Sequence, residues 1–109
     1  MNAKEIRDYV LKKSDVTESF PFGDGVLVFK VTDKIFLLIL LNEETITINI
    51  KCNPDRAVEL REEYFGLIIP GFHMNKIHWN TVFPLTLKAG LVMEMIDDSY
   101  NLVLKKKRK

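Results

Sequence analysis

Residues 27–51 read Leu-Val-Phe-Lys-Val-Thr-Asp-Lys-Ile-Phe-Leu-Leu-Ile-Leu-Leu-Asn-Glu-Glu-Thr-Ile-Thr-Ile-Asn-Ile-Lys. Leu27 to Val31 is rich in β-branched and aromatic residues, the composition of a strand. Thr32-Asp33-Lys34 supplies a tight turn. Ile35 to Leu41 is apolar at every position, so both faces of that strand need cover. Asn42-Glu43-Glu44 supplies a second turn. Thr45 to Lys51 then alternates, with Ile46, Ile48 and Ile50 on one side and Thr45, Thr47, Asn49 and Lys51 on the other, the pattern of a half-exposed strand. Turns this short join antiparallel neighbours, because parallel strands need a crossover of about a dozen residues. The stretch therefore predicts a three-stranded meander.

Helices flank it. Asn2 followed by Glu5 reads as a capping box, and Ile6, Tyr9 and Val10 recur at helical spacing, which predicts a first helix over residues 3–13. Ser14 to Gly25 reads as a loop, in which Phe20 and Phe22 are either lids on the core or a stacking surface. Asn53-Pro54 is a helix start, cap residue then proline. Ala57, Leu60 and Tyr64, with the stem of Arg61 as a further candidate, give that second helix a core stripe, and Gly66 ends it. Trp79 to Val82 reads as a short fourth strand broken by Phe83-Pro84. Leu87, Leu91, Met95, Ile96, Ser99, Leu102 and Val103 predict a long helix from about residue 85. Gly90 inside it costs about 1 kcal/mol relative to alanine, which predicts close packing there. The order is α-β-β-β-α-β-α: one α+β domain over residues 1–109, an antiparallel meander sheet packed with helices, ending in a basic tail at 105–109.

Composition agrees with one globular core. The chain has 109 residues, 47% apolar and 28% charged, which excludes a disordered chain, a collagen-like chain and a disulfide scaffold. The longest uninterrupted apolar run, Ile35–Leu41, is far below the ~18 residues of a membrane span. The N-terminus lacks a signal-peptide core, so a cytoplasmic location and no membrane partner are expected. Net charge is +1, yet Lys105 to Lys109 are all basic. Without those five the chain carries 11 Lys and Arg against 15 Asp and Glu, a net of −4. An acidic body argues against a broad phosphate-binding surface and leaves room for a local basic patch. The tail itself reads as a solvated helix end, or as a source of salt-sensitive attraction to nucleic acid. Cys52 stands alone, so no intrachain disulfide forms, and it reads as a small buried filler.

Residues 70–82, Pro-Gly-Phe-His-Met-Asn-Lys-Ile-His-Trp-Asn-Thr-Val, are the least generic stretch. Metal binding fits poorly. His73 and His78 are splayed on a helix and on opposite faces of a strand, and the segment holds no Asp, Glu or Cys as a further ligand. Catalysis fits poorly too. No Ser or Cys motif frames the histidines, and Gly23-Asp24-Gly25 lacks the Lys and Ser or Thr of a phosphate loop. Recognition fits better: Lys76 can meet a phosphate, Asn75 and Asn80 polar edges, and Trp79 can stack on a base. Against it stands a plain structural reading, in which Trp79 plugs the core and the polar residues satisfy loop backbone groups.

The chain resembles the MmcQ/YjbR family of small bacterial proteins almost end to end. The matching pieces are Phe20-Pro-Phe-Gly-Asp-Gly25, Val28-Phe-Lys-Val31, Asn49-Ile-Lys-Cys52 with Asn53-Pro54, Glu59-Leu-Arg-Glu62, Pro70-Gly-Phe-His-Met-Asn-Lys76 and His78-Trp-Asn-Thr-Val82, with Asp97, Ser99 and Tyr100 in the last helix. The resemblance implies a CyaY-like, or frataxin-like, α+β fold and DNA binding through a double-wing arrangement of strands and loops. One position departs: the residue between the two central pieces is usually basic in the family and is Ile77 here. No iron site carries over, because Glu5, Asp8 and Asp15 are mixed with Arg7, Lys12 and Lys13.

The expectation is thus a non-enzymatic DNA-binding domain without cofactor or metal. Its contact set is Lys30, Lys51, His73, Asn75, Lys76, His78, Trp79 and Asn80, the lysines and the tail on phosphates and Trp79, Asn75 and Asn80 on bases or sugars. The alternative is a protein-interaction or small-ligand module without nucleic-acid affinity. It would use the apolar strand if helices cover only one sheet face and leave Phe36, Leu38 and Leu40, or their alternates, exposed.

Overall fold

The computed structural model describes residues 1–41 and 44–108, the side chains of 105–108 excepted. The expected turn at Asn42-Glu43 lies outside the described residues, as do the side chains of the basic tail. The elements run α1 (Ala3–Leu11), β1 (Val16–Ser19), β2 (Val26–Val31), β3 (Lys34–Leu40), β4 (Thr47–Lys51), α2 (Pro54–Glu63), β5 (Ile68–Pro70), β6 (Trp79–Val82) and α3 (Ala89–Arg108). The fold is α+β. Its six strands form one antiparallel sheet in the order β1-β2-β3-β4-β6-β5.

The meander forms as its pattern requires. Val31 pairs with Lys34, so Thr32 and Asp33 make a two-residue turn, with φ of 50° and 65°. Positive φ at both positions matches the right-handed twist of the flanking strands, at a steric cost for β-branched Thr32. A register shift after Phe29 inserts Phe36 as an extra residue in β3. Both Phe36 and Leu37 thereby join the core on the helical side. Ser99 of α3 pins that irregularity: its hydroxyl donates to the Phe36 carbonyl at 2.6 Å and accepts from the Lys51 amide at 3.0 Å.

Two strands escape the sequence pattern. β1 has one apolar residue in four, and β5 is three residues long and ends in Pro70, so neither shows a periodicity. The element order is therefore α-β-β-β-β-α-β-β-α. α1 keeps its capping box, with the Asn2 side chain accepting from the Glu5 amide at 2.8 Å, but stops at Leu11. α3 begins at Ala89, because Pro84 to Leu87 is spent on turns. Gly90 consequently sits exposed in its first turn, and a β-carbon there would meet nothing within 4 Å. The close approach expected at Gly90 occurs at Gly71, where a β-carbon would lie 2.7 Å from Trp79 Cβ and 2.8 Å from its carbonyl oxygen. Phe20 and Phe22 are exposed and do not lid the core.

The main core lies between the sheet and the helices. It joins Ile6 and Val10 of α1, Phe29, Val31, Leu37, Ile39, Ile48 and Ile50 of the strands, Ala57 and Leu60 of α2, and Val92, Met95 and Ile96 of α3. Cys52 is buried at its edge, as a filler should be. The opposite sheet face, called the open face below, is not bare. Val28 and Leu38 are buried there under Trp79, with Met74 packed against them. This corrects the expectation of an exposed apolar face awaiting a partner. Phe36 is sealed on the helical side, Leu38 lies under the indole, and Val26, Ile35 and Leu40 are partly buried against the same patch. Nor is β4 half-exposed, since Thr47 and Asn49 are buried too.

Candidate nucleic-acid interface

The segment between β5 and β6 folds back over the open face and is held by a polar clamp. The Phe72 amide donates to Thr81 Oγ1 at 2.8 Å, and Asn49 Nδ2 donates to the Phe72 carbonyl at 3.3 Å. Thr81 Oγ1 closes the ring by donating to Asn49 Oδ1 at 2.6 Å. Two buried strand side chains thus satisfy both backbone polar groups of one loop residue, Phe72, as a folded interior requires. His73 follows with φ of 62°, a left-handed conformation, and its ring lies 4.1 Å from that of Phe72. Met74 then drops onto the apolar patch.

Residues 75–78 form a turn that delivers the chain into β6. The Asn75 carbonyl accepts from the His78 and Trp79 amides, and its side chain accepts from the Ile77 amide at 2.9 Å. Arg61 of α2 reaches across to donate to the Lys76 carbonyl at 3.0 Å and to Asn80 Oδ1 at 3.1 Å. Asn80 Nδ2 donates to the Ala57 carbonyl.

These bonds sort the expected contact residues. Trp79, 9% exposed, is the cover of the second apolar patch and presents no stacking face. Asn80 is buried with its amide group engaged at both ends, and the Asn75 side chain is used on its own turn. Base contact by Trp79 and Asn80 is therefore corrected to internal roles. His73 and Lys76 are exposed, and Lys30, Lys51 and His78 are half-buried.

The strand register places most of these cations at one end of the sheet. Lys30 precedes the β2–β3 turn, Lys51 ends β4, and Lys76 and His78 precede the start of β6, where Lys51 pairs with Trp79. Lys51 and His78 line one small groove with Cys52, Asn53, Pro54 and Leu102 of α3. Past Leu102, α3 carries the backbone of the basic run. His73 lies apart, on the loop over the open face.

The α2 N-terminus beside this groove is not an open anion site. Asn53 Oδ1 already accepts from the Asp55 and Arg56 amides. The neighbouring groove adds Arg56, Asp98 and Asn101. Burial and then the nearby Glu94 raise the Asp98 carboxyl above its ordinary range. Burial, with the Asp98 charge, likewise pushes the Cys52 thiol up, away from thiolate chemistry. Among the described residues no group of three or more His, Cys, Asp and Glu is placed to hold a metal. No described helix is long and apolar enough to cross a membrane.

Sequence reasoning missed Asn49, Thr81 and Arg61. Asn49 lay on the face read as solvated, and nothing in its spacing reveals a loop folded onto it.

An antiparallel six-stranded sheet, helices on one face and a clamped loop on the other, defines the class of domain. The YjbR family model matches residues 11–102, and the chain belongs to that family. It is similar to the uncharacterized protein YbdF of Escherichia coli O157:H7, 38% identical over 86 residues, covering 78% of this chain and 70% of that one. It is also similar to the uncharacterized protein YjbR of Escherichia coli strain K12, 28% identical over 114 residues, covering 100% and 96%. Among solved structures, the Deinococcus radiodurans protein DR2400, described as a DUF419 domain, matches with a TM-score of 0.91 and 34% identity, covering 97% of this chain and 80% of that one. A crystal structure of a Pseudomonas syringae protein matches with a TM-score of 0.81 and 30% identity, covering 94% and 99%.

Proposed function

We propose that this chain is a non-enzymatic, cytoplasmic DNA-binding domain that grips phosphates and does not read bases. The observation that carries the reading is the shared groove of Lys51, His78 and Leu102, at the sheet end where Lys30 and Lys76 also lie and from which the α3 backbone runs on to Arg108. Cations gathered at one end suit a charged backbone, whose neutralisation supplies most non-specific affinity. The internal engagement of Trp79 and Asn80 supports sequence-indifferent contact. The net of −4 over residues 1–104 keeps the affinity weak.

Fluorescence anisotropy with two unrelated labelled duplexes and a single strand, at low and moderate salt, tests this. The expected result is similar weak binding to both duplexes. The slope of log K against log salt should be about −3, for roughly three or four contacted duplex phosphates. Negligible binding at every salt concentration ends the proposal.

A further inference from the structure

We propose that a cleft at the other end of the open face, away from the cationic groove, binds a small flat aromatic molecule bearing an amine. The cleft is open to solvent and offers about 410 Å³, within the size range of small-molecule sites. Leu40, Ile69, Phe72 and Phe83 form its apolar walls, Thr47 lines it beside them, and Glu44 is its one acidic lining residue. None of its described lining residues is cationic.

The Phe72 ring decides the body of the ligand. It is 54% exposed although large and apolar, and it is not free to move with its loop. Thr81 and Asn49 hold both backbone polar groups of Phe72, and Gly71 is pressed against Trp79. An exposed ring on a fixed backbone beside an apolar wall favours a flat partner by offset or edge contact, with little backbone ordering cost on binding. Glu44 decides the head group: a carboxylate in a cleft without cations favours an ammonium and disfavours an anion. The site is concave, which favours a small molecule over a flat protein surface. It is also chemically opposite to the phosphate-binding end.

Tryptamine, indole and indole-3-acetate share one ring and differ in head-group charge. Titrating each into the ¹⁵N-labelled protein should give saturable amide shifts at Thr47, Phe72 and Thr81. Tryptamine should bind up to about fivefold tighter than indole, the order of one solvent-accessible ion pair, and indole-3-acetate weakest. Glu44→Gln should erase the tryptamine–indole difference, and Phe72→Ala should weaken all three. Ile69→Trp, which fills the cleft, should abolish the shifts while the rest of the spectrum stays native. Equal binding of the three probes, shifts confined to residues outside the cleft, or shifts that survive Ile69→Trp would overturn the proposal.

Discussion

Replacing Thr81 by valine keeps the side-chain shape and removes one hydroxyl. That hydroxyl accepts from the Phe72 amide at 2.8 Å and donates to Asn49 Oδ1 at 2.6 Å, and Thr81 is 3% exposed. The substitution deletes two hydrogen bonds and strands a donor and an acceptor. A typical bond contributes about 1 kcal/mol net, and a stranded buried group costs about 1–3 kcal/mol, so a total loss of about 2–3 kcal/mol is expected after local relaxation. Urea denaturation measures it. With a slope of about 1–2 kcal/mol per molar for a small domain, the midpoint should fall by roughly 1–3 M at unchanged slope. Hydrogen exchange separates the local effect from the global one: the Phe72 amide should lose protection beyond the fall in global stability. Thr81→Ser, which keeps the hydroxyl, should restore most of both. A valine variant within about 0.5 kcal/mol of the parent, the range of an ordinary surface change, would refute the clamp.

Four further outcomes follow from the same structure. Gly71→Ala should cost about 1–3 kcal/mol and red-shift Trp79 fluorescence, because its β-carbon meets Trp79 backbone. Gly90→Ala, with open space around it, should instead stabilise by up to about 1 kcal/mol; the opposite order would sink both assignments. Thr32→Asn with Asp33→Gly should stabilise by about 1–2 kcal/mol in thermal or urea melts, since both positions hold positive φ. The Tyr9 hydroxyl donates to Asp97 at 2.7 Å, and this bond, burial and the Asp97 charge push the phenol up to about 12. A raised acid holds its proton in the folded state, so its contribution is complete below about pH 10 and is lost as pH rises toward 12. The parent should therefore lose more stability than Tyr9→Phe across that window, and parallel pH profiles would refute the linkage.

The meander was legible because Thr45–Lys51 alternates and because Thr32-Asp33 leaves no room for a crossover. The helix starts at Asn2 and Asn53 were legible for a local reason, since a capping side chain answers to amides two or three residues away. β1 and β5 were not, because strand pairing alone holds such short segments. The two glycines exchanged roles for a similar reason. Close approach at Gly71 depends on Trp79 folding back over it, a contact no periodicity encodes. The same fold-back turned Trp79 and Asn80 from expected contacts into internal groups, while His73 and Lys76 are exposed and Lys30, Lys51 and His78 half-buried. Asn49 was misplaced because alternation reports which face a residue is on and says nothing about what later covers that face.

The most direct measurement is a chemical-shift titration of the ¹⁵N-labelled protein with a short duplex at low salt. Amide shifts centred on Lys30, Lys51, Lys76 and His78, reversed by added salt, are what the account requires. Shifts that avoid that end of the sheet, or a spectrum the duplex leaves unchanged, would contradict it.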